Sequence, residues 1–204
     1  NKMIHDKNLK NSIDDTPSYF GEGNYQVGVG DRGFHRDMVD EIIDGKSTRN
    51  YLHGPDWQDT YKLIRVGVYL QDHHNCSGGV KFEMGSNKLP YNKGKRVLAE
   101  TKAGDVVVWD LRTFHSGNSV RLRFLPKIPL GFRLENIIPN FLTKPEKIQR
   151  NSVFMVFGAN NFHLKRHIEK HYKLKFKEHI KVSNYSNKNI EDCTKAGINF
   201  IKVK

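Results

Sequence analysis

The chemistry of this chain starts from two side chains, two residues apart. In Phe34-His35-Arg36-Asp37, an extended backbone puts His35 and Asp37 on one face, an imidazole beside a carboxylate, while Arg36 points away. That pair is two-thirds of the 2-His-1-carboxylate triad that holds non-haem Fe(II) and leaves coordination positions open. The missing ligand is a distant histidine at a strand end. His115 qualifies, just after the strongest strand of the chain in GDVVVWDLRTFHSGNS. An HxD by itself is a common chance pair on a turn or surface, so its weight rests on what surrounds it.

The elements that must position these residues read as short strands separated by Gly, Asn, Asp and Pro. They are Tyr25–Val29, Phe34–Met38, Tyr61–Gln71, Gly79–Met84, Arg96–Glu100, Asp105–Leu111 and Ser152–Gly158. Residues 1–24 read as an irregular N-terminal segment, 25–160 as the β core, and 161–204 as a basic helical segment and tail. Within the core, 112–149 holds Pro126, Pro129, Pro139 and Pro145 and reads as a long inserted loop. A helix is expected from Asn160 to about Lys177, with Phe162, Ile168, Tyr172 and Phe176 buried. Many short strands in one domain predict a mainly β fold, a sandwich or barrel with flanking helices.

In its motifs and their order the chain resembles the Fe(II)/2-oxoglutarate-dependent oxygenases, and within them the phytanoyl-CoA dioxygenase-like family. The matching features are the HxD of GFHRD, the strand–SGG–strand–GSN segment, GDVVVWDLRTFHSG, and Arg150-Asn151-Ser152. The resemblance covers about residues 25–160 and implies a double-stranded β-helix, a cupin-like jelly roll. It implies Fe(II) held by His35, Asp37 and His115, with 2-oxoglutarate and O2 as co-substrates and succinate and CO2 as products. Arg150 would grip the far carboxylate of 2-oxoglutarate by a two-pronged charge-assisted bond, with Ser152 adding a hydroxyl. Many relatives carry that arginine about ten residues past the distal histidine, where this chain has Leu125. Arg123 stays open as the competitor, with Arg121 and Lys127 nearby. Because Asp37 is present, where halogenating relatives have a small residue, hydroxylation is expected.

Other features have blander explanations. His163, His167 and His171 recur every fourth residue and read as part of a solvated basic face. His73-His74 is expected near the site mouth, outside the ligand set. Trp109, Phe114 and Phe34 read as core. GVGDRG lacks the GK[ST] ending of a phosphate loop. Cys76 and Cys193 have neither zinc spacing nor the makings of a disulfide framework, which favours a reducing, cytoplasmic setting. No apolar run reaches the roughly 18 residues of a membrane span.

The charge of +12 over 204 residues is unevenly placed. Residues 25–110 carry 12 basic and 12 acidic side chains, whereas 111–204 carry 19 and 6. A basic second half suggests an anionic substrate, small or carrier-linked. Nucleic acid is less favoured, because no zinc finger or RNP aromatic pair accompanies the charge. The competing view is a basic, non-catalytic jelly-roll module that binds nucleic acid or another anion.

Overall fold

The structure is a computed structural model that describes residues 16–27, 33–38, 41–43, 46–48, 56–74, 76–88, 90, 94–146, 151–172 and 185–203. Two sheets form its frame. The larger has the order β10-β1-β9-β4-β7, and the smaller has the order β6-β5-β8. The strands are β1 (Pro17–Val27), β4 (Leu63–Tyr69), β5 (Lys81–Glu83), β6 (Arg96–Leu98), β7 (Val106–Asp110), β8 (His115–Ser116), β9 (Asn151–Ala159) and β10 (Asn199–Phe200). A separate hairpin pairs β2 (Glu41–Ile43) with β3 (Lys46–Thr48).

The path of the chain defines the fold. It runs in the large sheet as β1, crosses to the small sheet at His35, which bridges His115, and returns as β4. It then adds β5 and β6 to the small sheet, β7 to the large, β8 to the small and β9 to the large. Alternating in this way between two facing sheets makes a mainly β jelly roll of the double-stranded β-helix type. Antiparallel pairs dominate, and the parallel pair of β1 with β10 closes one side.

Alternation of burial along β9 shows how sequence becomes barrel. Ser152, Phe154 and Val156 point inward, and Val153, Met155 and Phe157 point outward. Each inward apolar side chain contributes about 1.5–3 kcal/mol of burial. Tyr69, Val80, Phe82, Trp109 and Phe154 form one core cluster, and Phe20, Met38, Tyr61, Leu63, Leu111, Val156, Leu164 and Ile168 form the other. Gly67 lets β4 pass beneath the first cluster, since a Cβ there would stand 2.9 Å from the Phe154 ring and 3.1 Å from Trp109.

Three sequence expectations need correction. β1 begins at Pro17, inside the segment read as irregular, because Gly21 lies within a bulge and Gly23 resumes the pairing opposite Met155. Proline is tolerated there as the first residue of the strand. Among the described residues, the stretch after β9 is α-helical only over α2 (Phe162–Arg166) and continues as a π-turn over His167–Tyr172. Phe176 and the Tyr172 side chain lie outside the described residues. Its buried side chains are His163, Leu164, His167 and Ile168, whereas Phe162 is 61% exposed. The basic face is thus not formed by these histidines: His163 and His167 turn inward onto carboxylates. The His171 side chain is outside the described residues.

The polar tail also contains a helix, α3 (Asn187–Lys195), started by the Ser186 hydroxyl accepting from the Asn189 N–H. Between β8 and β9 the insertion carries α1 (Phe132–Ile137) and a 3-10 turn at Asn140–Leu142. Glu135 of α1 ties it to the barrel, pairing with buried Lys81 of β5 and accepting from the Val120 N–H at 2.9 Å.

Candidate metal centre

His35 and His115 meet across the small sheet as a directly hydrogen-bonded antiparallel pair. The N–H of each donates to the other's carbonyl at 2.9 Å, and the ring centroids are 4.5 Å apart. Two residues on, the Asp37 N–H donates to the Leu111 carbonyl at 2.9 Å, holding the HxD segment against the end of β7. Arg36 points away, as the alternation demands, and donates to the Arg112 carbonyl at 2.8 Å while stacking over Phe114.

The two imidazoles are fixed in the same way. His35 Nδ1 lies 3.0 Å from the Gly33 carbonyl, and His115 Nδ1 lies 3.0 Å from the Thr113 carbonyl. A carbonyl only accepts, so each Nδ1 carries a proton, and in the neutral imidazole the lone pair is then on Nε2. Both Nε2 atoms face Asp37: His115 Nε2 is 3.3 Å from Oδ2 and His35 Nε2 is 3.7 Å from Oδ1. One ligand atom from each of the three residues lies within 4.8 Å of the other two. Outer-shell carbonyls that set the tautomer in this way are typical support for metal-bound histidine. Asp37 and His115 are buried, but the His35 side chain is 42% exposed, so the cluster opens to solvent on that side.

The protonation states suit a cation. Burial pushes the Asp37 carboxyl up, but His115, Arg65, His35 and the Trp109 N–H together outweigh it and bring it down to about 2. Burial holds His115 below its ordinary value of 6.5 and outweighs the attraction of Asp37. Near neutral pH the cluster therefore offers a carboxylate and a neutral imidazole. Trp109 Nε1 donates to Asp37 Oδ2 at 3.3 Å, and Arg65 Nη1 lies 3.3 Å from Oδ1. Neither Arg65 nor this use of Trp109 was expected. The available signal was a charged residue at an inward position of β4, between buried Leu63 and Gly67.

The other expected site residues are not all brought here. Ser152 is fully buried on the inward face of β9, opposite Tyr69, and its Oγ has no hydrogen-bond partner among the described residues. Phe154 stands between it and Trp109 along the barrel. Arg150 lies outside the described residues. Arg123 is exposed on the insertion, donates through Nε to the Thr143 carbonyl at 2.8 Å, and lines a separate cavity of about 390 Å³ with Glu135 and Lys144. None of His35, Asp37, His115 or Ser152 lines that cavity. Arg121 is buried on Glu100 and the carbonyls of Ala99 and Pro126. His73 is also buried, set between Thr101 and Gln71.

No known protein family and no curated protein matches the sequence. Among solved structures, the chain is similar to the nickel complex of the non-heme monooxygenase ThoJ, with 15% identity and a TM-score of 0.41 over 70% of this chain and 44% of that one. It is similar to SnoN, a non-heme alpha-ketoglutarate dependent epimerase from nogalamycin biosynthesis, with 16% identity and a TM-score of 0.41 over 70% and 47%. HygX from Streptomyces hygroscopicus, with nickel and 2-oxoglutarate bound, aligns at 12% identity and a TM-score of 0.37 over 69% and 55%. The chain thus spans about half the length of these structures. Likeness at this level is one of outline, and the weight of any assignment falls on the chain's own residues.

Proposed function

We propose that this protein is a mononuclear non-haem Fe(II) dioxygenase that uses 2-oxoglutarate, with His35, Asp37 and His115 as the metal ligands. The observation that carries this is the convergence of two oriented Nε2 lone pairs and one ionised carboxylate within 4.8 Å, with an open side at His35. Three oxygen and nitrogen donors on one face fit a ferrous ion and leave room for exogenous ligands. When bound, the iron and 2-oxoglutarate would supply oxidation of an organic substrate by O2, coupled to loss of CO2 and formation of succinate.

The chain's own residues do the rest. The Gly33 and Thr113 carbonyls hold the histidine tautomers, and Trp109 and Arg65 orient Asp37. Phe82 and Trp109 pack against the His115 ring at 5.9 and 5.4 Å and keep water from that side. Ser152 supplies an unpartnered buried hydroxyl for the far carboxylate of 2-oxoglutarate, and Arg150, two residues before it, supplies the charge. Residues 17–160 would form the oxygenase core, with β10 added beside β1, and the rest of 161–204 a basic flank. The surplus of 13 positive charges over 111–204 favours an anionic substrate, small or carrier-linked, and hydroxylation as its fate.

The test is anaerobic thermal denaturation with Fe(II) and 2-oxoglutarate. The wild type gains melting temperature and the His35→Ala variant does not, and succinate accumulates once air is admitted. Absence of any thermal shift in the wild type, together with no succinate, overturns the proposal. Steeply salt-dependent binding of nucleic acid without metal binding would favour the non-catalytic basic module instead.

A further inference from the structure

A chain of buried charges runs from Asp37 away from the cluster. Arg65 is forked between two carboxylates: Nη1 lies 3.3 Å from Asp37 Oδ1, and Nη2 lies 3.2 Å from Glu22 Oε1. The other oxygen of Glu22 lies 2.7 Å from His167 Nε2 in the π-turn. Glu22, Asp37 and His167 are 7%, 8% and 1% exposed, so these are low-dielectric contacts and not surface pairs.

Glu22 reaches this position through a defect in β1. Between the pairs Tyr19↔Phe157 and Gly23↔Met155, residues 20–22 stand opposite the single Val156. Gly21, at φ +85°, takes the left-handed turn, and both Phe20 and Glu22 end up buried. Tyr185 fills the space where a Gly21 side chain would be, 2.8 Å from the ideal Cβ, and its hydroxyl donates to the Gly21 carbonyl at 2.8 Å. Bulges re-aim side chains beside functional sites. This one places a carboxylate where regular strand geometry would not.

We propose that Glu22, aimed by the β1 bulge and anchored by His167, is a positioning residue that draws Arg65 away from Asp37 and keeps that carboxylate available to a divalent metal. This rests on the proposed metal centre. Arg65 is needed to orient Asp37, but a guanidinium that pairs with Asp37 alone competes with the metal for the same oxygen. Glu22 shares that charge. Loss of the Glu22 charge and loss of its orienting role therefore act in one direction, weaker metal binding, although Glu22 touches none of the three ligands.

The experiment is anaerobic titration of the full chain with Co(II), read by the visible bands of the bound ion and by quenching of tryptophan fluorescence. Glu22→Gln should weaken Co(II) binding about 10- to 100-fold, the range for outer-shell partners. The double variant Glu22→Gln/Arg65→Gln should recover part of that loss, because the competing cation is gone. His167→Gln, which leaves Glu22 its charge but removes its anchor, should weaken binding less, and it serves as the test if Glu22→Gln does not fold. Wild-type affinity in Glu22→Gln, or in His167→Gln where that variant stands in, overturns the inference while leaving the metal centre standing. An equal loss in Glu22→Gln and the double variant also overturns it, since a merely structural defect would not be relieved by removing Arg65. Failure of the wild type to bind Co(II) at all would overturn the metal centre and this inference with it.

Discussion

Two of the buried histidine–carboxylate groupings in the barrel differ in what the imidazole nitrogens are doing. At His163 both are used: Nδ1 lies 2.8 Å from Asp56 Oδ1 and Nε2 lies 3.0 Å from the Thr60 hydroxyl. At His35 and His115 each Nδ1 is taken by a backbone carbonyl and each Nε2 faces a shared carboxylate. The first grouping is saturated by hydrogen bonds and joins α2 to the loop before β4. The second has lone pairs converging on one point. Residue type is nearly the same in both, so what sets the proposed metal site apart is that a backbone carbonyl takes each Nδ1 and leaves each Nε2 to face Asp37.

Asp37→Ala and His163→Ala should separate the two groupings most sharply. The first removes a proposed ligand and should lower Co(II) affinity by more than about 100-fold, beyond the range of outer-shell changes. The second leaves Asp56 buried without its imidazole, which costs about 3 kcal/mol, or roughly 6–12 °C in melting temperature. Calorimetric titration and thermal denaturation of both variants check the pair. A metal defect in His163→Ala as large as that of Asp37→Ala would break the comparison.

Acid should act on the converging group in the metal-free protein. His115 is held below 6.5 and stays neutral when folded, so the unfolded chain takes up the proton first as the pH falls below 6.5. Stability should therefore drop from that point downward. Asp37, held at about 2 against an ordinary 3.8, contributes on the order of 2 kcal/mol, complete above pH 3.8 and lost towards pH 2. Urea midpoints across pH 7 to 2 measure this. The decline beginning below 6.5 should shrink in His115→Gln.

Smaller effects distinguish the co-substrate candidates. Ser152→Ala should weaken 2-oxoglutarate binding by about tenfold, the value of one hydrogen bond to a charged group. Arg123→Ala should change it less than about twofold, because Arg123 lies at another cavity. Equilibrium binding of 2-oxoglutarate to the Co(II)-loaded protein reads both. A larger loss in Arg123→Ala than in Ser152→Ala would reverse the assignment.

The cluster was legible in the sequence because its residues obey short-range rules. His35 and Asp37 share a face by strand alternation, and His115 follows a run, Val106 to Trp109, that only a strand explains. What could not be read depends on how distant segments meet. Gly21 and Gly23 look like turn residues until pairing with β9 puts Gly21 in a bulge and Gly23 back in register with Met155. His163 and His167 show helical spacing and a basic neighbourhood, yet the carboxylates that draw them inward, Asp56 and Glu22, lie more than 100 residues earlier. Arg65 is a charge within an otherwise apolar strand, and its meaning comes only with Asp37 and Glu22 on either side of it.

The most direct measurement is anomalous diffraction at the iron edge from crystals grown anaerobically with Fe(II). The account predicts a single peak within bonding distance of His35 Nε2, His115 Nε2 and one oxygen of Asp37, absent in His115→Ala. No peak there, or a peak at His163 and Asp56 instead, would contradict it.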